Sequence, residues 1–90
     1  MYSITKLTSS GLVNSGRTEL IAVILTSGGA SASADILDGT DNSGTSKLVL
    51  KEATNNHSNS CYLGEGGAVF NTGIYVTLSG TGAVATLIWK

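Results

Sequence analysis

The stretch Ile74-Tyr75-Val76-Thr77-Leu78-Ser79-Gly80-Thr81-Gly82-Ala83-Val84-Ala85-Thr86-Leu87-Ile88-Trp89 decides the fold class. Two alternating runs flank a Ser-Gly-Thr-Gly link. In the first run Ile74, Val76 and Leu78 share one face; in the second Val84, Thr86 and Ile88 alternate with Ala85, Leu87 and Trp89. A period of two is the side-chain period of a strand. A short Gly-containing link between two such runs signals a hairpin. The pattern therefore predicts that these strands are neighbours, with Val84 and Ile88 opposite the Ile74, Val76 and Leu78 stripe.

The same period runs through the rest of the chain. Thr18 to Thr26 is the most apolar segment, with Leu20, Ala22 and Ile24 on one face and Ile21, Val23 and Leu25 on the other. Apolar residues on both faces predict a strand covered on both sides. Tyr2 to Leu7, Leu12-Val13, Ala30 to Asp38, Ser60 to Leu63 and Ala68 to Phe70 are further strand candidates. Lys47 to Lys51 alternates, with Leu48 and Leu50 inward. Gly, Asn, Asp and Ser punctuate these runs in a chain without proline: Asp38 to Gly44 is a polar turn and Ala53 to Ser60 a polar loop. About eight short strands at this spacing predict an all-β chain, an antiparallel β-sandwich or jelly roll, as a single domain over residues 1–90.

Composition bears on function. A domain of 90 residues buries only ~60–65% of its unfolded surface, so its own core gives a thin stability margin. Cys61 is the single cysteine, which excludes an internal disulfide. Oligomerisation is the remaining reinforcement. Charged residues make up 12% of the chain, against a typical ~25%, which suits a surface covered by neighbours. Five Lys and Arg residues without a cluster, at a net charge of −1, speak against nucleic acid. Leu20 to Leu25, the longest apolar stretch, is far short of the ~20 residues that span a bilayer, so no membrane contact is expected. Met1-Tyr2-Ser3-Ile4-Thr5 lacks a basic segment followed by an apolar run, so a chain made in a cytoplasm is expected.

Residues with chemical potential are few. His57 and Cys61 lie four apart, but an Asn/Ser-rich loop does not hold a Cys–His pair in register, and one of each is too few for zinc. Asp38, Asp41 and Asn42 lack the ligand spacing and distal Glu of a calcium loop, and suit a tight turn instead. Gly64-Glu65-Gly66-Gly67 lacks the Lys-Ser/Thr of a phosphate loop. Asp35, Glu19, Glu52 and Glu65 are scattered. No catalytic residue, metal or cofactor is expected, and the chain reads as a non-enzyme. Tyr2, Tyr62, Tyr75 and Trp89 could fill the core, meet a neighbour or stack on a sugar.

The segment Arg17-Thr18-Glu19-Leu20-Ile21-Ala22-Val23-Ile24-Leu25, its Gly/Ser turn and the strand ending Ile36-Leu37-Asp38-Gly39 resemble small β-sandwich virion proteins of tailed bacteriophages. So does the segment from Val69 to Trp89. The resemblance covers most of the chain and rests on turn and strand patterns. It implies a virion structural subunit, most naturally a capsid decoration or cement protein, that forms a homo-oligomer such as a trimer and meets a major capsid protein or other virion subunits. A carbohydrate-binding tail, portal or fibre accessory is the alternative. Tyr2, Tyr75 and Trp89 are the candidate interface residues, with Trp89 expected to anchor a neighbour.

Overall fold

A computed structural model of the chain describes residues 2–54, 56–64 and 66–90. Among the described residues nine strands account for the regular structure: β1 (Ser3–Leu7), β2 (Gly11–Ser15), β3 (Thr18–Thr26), β4 (Ala32–Asp38), β5 (Thr45–Glu52), β6 (Ser58–Tyr62), β7 (Ala68–Phe70), β8 (Gly73–Ser79) and β9 (Val84–Trp89). They form two antiparallel sheets. The first has the order β1-β9-β3-β6, with β7 also on β3; the second has the order β2-β8-β4-β5. The first strand thus pairs with the last, β2 with β8, β3 with β6 and β7, and β4 with β5. This nested pairing, folded into two layers, is a jelly roll. The molecule is 17 Å across its thinnest direction, as two sheets about 10 Å apart require.

The predicted C-terminal hairpin is not formed. β8 lies in the second sheet between β2 and β4, and β9 lies in the first between β1 and β3. Ser79 to Ala83 is a crossing from one sheet to the other, closed by the Ala83 N–H donating to the Gly80 carbonyl. Each run has a single fully apolar stripe, so each seeks the shared core from its own side. The inward stripe of β8 is as expected, with Ile74 and Val76 fully buried. That of β9 is the opposite one: Ala85 and Leu87 are fully buried, whereas Val84 and Ile88 face outward. Among the described residues the two-strand hairpin within one sheet that links successive long strands is β4–β5, through the Asp38 to Gly44 turn.

β3 departs from simple alternation. A bulge between Leu20 and Ala22 in its ladder with β9 turns Leu20 inward beside Val23 and Leu25, so these three share the core. Ile21, the extra residue, is buried near Gly67. Ala22 and Ile24 point away from the core and are half-buried. The expectation that β3 is covered on both sides is met within the chain on one side only. Leu48 and Leu50 of β5 do face the core. The loop before β6 is shorter than expected because Ser27 organises it. Its hydroxyl accepts from the His57 N–H at 3.0 Å and donates to the Thr54 carbonyl at 2.5 Å.

The β3–β4 and β8–β9 crossings lie against each other. A Cβ on Gly28 would come within 2.7 Å of the Thr81 carbonyl oxygen, and one on Gly80 would meet the Ser31 carbonyl oxygen at 2.4 Å. Gly80 also has φ of +112°, a region closed to other residues at little cost. We predict that Gly80→Ala destabilises the fold by about 2 kcal/mol or more in urea unfolding. Gly29→Ala, whose added Cβ would meet nothing within 4 Å, should stay within about 0.5 kcal/mol of the parent.

Candidate functional site

Antiparallel partners point to the same face, so the ladders give the composition of each outer surface. On the first sheet, Tyr62 pairs with Ala22, Ala22 with Ile88 and Ile88 with Ile4. This row crosses four strands and carries only apolar and aromatic side chains. The next row is Ser60, Ile24, Thr86 and Lys6, and the third holds Ser58, Thr26 and Val84. The ends of the first row are open to solvent: Ile4 is 71% exposed and Tyr62 69%. Lys90, held to β3 by paired backbone bonds with Glu19, continues this face beside Tyr2, with its Nζ 5.4 Å from the Tyr2 ring centre. A row of apolar side chains across a whole sheet, with no layer over it among the described residues, is the feature of the surface that most needs a partner.

The three residues picked out from the sequence do not form one patch. Tyr2 lies on the outer face of the first sheet and is half-exposed. Tyr75 is on the outer face of the second, in register with Leu12 and Leu37. Trp89 is on the inner side, packed against the core, with its Nε1–H donating to Thr5 Oγ1 at 2.9 Å. An indole turned inward and tied to β1 sits as a core side chain does, a placement unlike that of the expected free anchor. Ile4 and Tyr62, the most exposed large apolar residues, were missed as a pair. The signal available was the Tyr2, Ile4, Lys6 alternation, where two apolar residues share a face with a lysine. Tyr2 and Tyr62 sit three strand spacings apart, about 14 Å, so the aromatics of this face do not make one stacking platform.

The remaining candidates resolve into structural roles. Cys61 is half-buried against the core, while His57 is exposed just before β6, about 13 Å along extended chain. Asp41 Oδ1 accepts the Ser43 hydroxyl and, secondarily, the Ser43 N–H, which hold its carboxyl below the usual range. Gly67 N–H donates to the Gly64 carbonyl in a backbone turn; Glu65 lies outside the described residues. Glu19 faces Arg17 and Lys90, Asp35 receives Ser46, and Glu52 accepts the Thr54 N–H. Among the described residues no three His, Cys, Asp or Glu side chains gather as metal ligands. An open groove of about 320 Å³ at one end of the second sheet is lined by Ser31, Ser33, Lys51, Glu52 and Ser79.

Asp38 is the most engaged carboxylate. Oδ1 accepts the Thr72 N–H at 2.9 Å and Oδ2 the Asn71 N–H at 3.1 Å, with Lys47 Nζ 4.0 Å away. The Thr72 amide above all, then those of Asn71 and Gly73 and the Lys47 charge, outweigh burial and hold this carboxyl below the usual carboxylate range. Its oxygens thus tie the β4–β5 turn to the β7–β8 crossing.

Comparison with protein-family models, with characterised proteins and with solved structures returned no match to the chain.

Two outcomes follow. A depressed folded-state pKa adds stability that is present above the unfolded value, about 4, and is lost as pH falls through the lower folded value. Acid unfolding should therefore show this step in the parent and a smaller one in Asp38→Asn, where the lowered carboxyl of Asp41 remains; at neutral pH the variant should cost about 1–2 kcal/mol. Trp89→Ala should lower stability by about 3 kcal/mol in thermal or urea unfolding, as removal of a core ring does. An unchanged melting curve would return Trp89 to the role of a free anchor.

Proposed function

We propose that the chain is a non-enzymatic structural subunit of a phage particle, most naturally a decoration or cement protein that adds buried area to a capsid shell. The observation that carries this reading is the outer row Tyr62, Ala22, Ile88 and Ile4. It offers an apolar strip, bordered by Ser60, Ile24, Thr86 and Lys6 on one side and by Lys90 on the other, suited to packing on another subunit. The low charge content of 12% agrees with a surface meant to be covered. The jelly roll itself serves capsid proteins, lectins and enzymes alike, so it adds no weight of its own.

The mechanism is mechanical. Each copy contributes a small apolar contact, and many copies on one lattice sum these contacts into an effective bond. The partners are other virion subunits, a major capsid protein first among them, and further copies of the chain.

Tyr62→Asp places a charge on the exposed end of the row and should leave the melting temperature within a few degrees of the parent. It should reduce binding to particles lacking the subunit by tenfold or more, as loss of an interface anchor does. Val49→Asp, at a half-exposed position on the outer face of the second sheet, should bind as the parent does. Equal binding by all three proteins would refute the assignment of the face.

A further inference from the structure

We infer that β1 is an open sheet edge that pairs antiparallel with β1 of a second copy, about a twofold axis at Ile4. The inference rests on the reading of the chain as an assembling subunit and names the copy-to-copy contact within it.

Sheet edges present unpaired N–H and C=O groups, and proteins that stay monomeric blunt them with bulges, lysines, short strands or covering segments. Three of the four edges here are blunted. β2 is bulged, with Val13 as the extra residue between Leu12 and Asn14. β5 is bulged at Lys47 and carries Lys51 as well. The edge formed by β6 and β7 is split into two short strands, and Asn59 Nδ2 donates to the Lys51 carbonyl of β5 at 3.0 Å. β1 is as short as β6 and carries Lys6, but it is neither bulged nor covered by a described segment: its ladder with β9 runs from Ser3 to Leu7 without a register shift.

The direction of its free groups follows from the ladder. Lys90 exchanges backbone bonds with Glu19 of β3, and the Leu63 N–H meets the Ile21 carbonyl on the other side of β3. In an antiparallel ladder successive residues point their N–H and C=O to opposite sides. Ile88 and Thr86 therefore face β3, while Trp89, Leu87 and Ala85 face β1. Their partners Ser3, Thr5 and Leu7 use their backbone groups within the sheet. Those of Ile4 and Lys6 point out of the edge.

A twofold axis at Ile4 makes this edge complementary to itself. Ile4 then pairs with its own copy, and Lys6 of each chain falls opposite Tyr2 of the other. A lysine opposite a tyrosine repeats across the dimer the cation–ring contact that Lys90 makes within the chain. The Ile4 pair covers the most exposed large apolar side chain. It also joins two Tyr62, Ala22, Ile88, Ile4 rows into one strip across eight strands. The alternative axis at Thr5 would set Ile4 against Lys6 and leave the strip broken. Two five-residue edges bury less than the ~800 Å² per partner of a standard interface, so the free dimer is weak, with a dissociation constant in the micromolar range or above.

The test is sedimentation of the purified full chain from micromolar to millimolar concentration, with hydrogen exchange read at the Ile4 and Lys6 amides. The parent should pass from monomer to dimer, and both amides should exchange more slowly in the dimer. Ile4→Pro removes an outward N–H that the chain itself does not use, and Ile4→Lys sets two charges together at the axis. Both should melt as the parent does and remain monomeric. The inference is overturned if the parent is monomeric throughout, if a folded Ile4 variant dimerises as the parent does, or if these amides become protected only when particles are added. In the first and last cases the docking reading still stands or falls on Tyr62→Asp alone.

Discussion

The structure depends on the close backbone contact between two crossings at one end of the sandwich. The β3–β4 and β8–β9 connections each carry the chain from one sheet to the other, and they meet at Gly28, Gly80 and Gly82 with no room for side chains. That contact sets which strands enter which sheet, and hence which stripe of each strand is buried. At the other end the Asp38 carboxylate does the corresponding work through the Asn71 and Thr72 amides. Between these ends Leu20, Val23, Leu25, Ile36, Phe70, Ile74, Val76 and Leu87 form one continuous core. A core of this size leaves a thin margin, so loss of either tie is felt by the whole domain.

The nested pairing has a consequence for the surface. Because the first strand lies beside the last, β1 is added to the sheet at its rim and remains an edge. β3 is central in that sheet, and its outer face is apolar although the described residues supply nothing to cover it. Ile24 and Ala22 are half-buried by their strand neighbours alone. Edge and face meet at Ile4, so a partner that takes one comes close to the other.

Strand positions were legible in the sequence, since alternation marks a strand wherever one face is buried. β3 and β7 have the bounds that alternation predicts, and β1, β5, β8 and β9 differ by a few residues at most. Pairing was not legible at the link that seemed clearest. Ser79-Gly80-Thr81-Gly82 satisfies the backbone of a hairpin and of a crossing equally well, and the choice is made by Ser31 and Gly28, some fifty residues earlier. The bulge at Ile21 was hidden for a related reason: an extra residue in a ladder is set by the partner strand. The surface row was half legible. The Tyr2, Ile4, Lys6 alternation carried a signal of an apolar face on β1 that was not read as one, and Tyr62 and Ala22 join that face only through three ladders. The inward placement of Trp89 was not legible because its hydrogen-bond partner, Thr5, lies at the other end of the chain.

Hydroxyl-radical footprinting compares the outer surface of the free subunit with that of the assembled particle, side chain by side chain. If the outer face of the first sheet is the assembly surface, Tyr62, Ile4 and Ile88 should be oxidised readily in the free subunit and strongly protected in the particle, while Val49 and Leu12 on the second sheet change little. Protection of Val49 and Leu12 with Tyr62 and Ile4 still reactive would contradict that assignment.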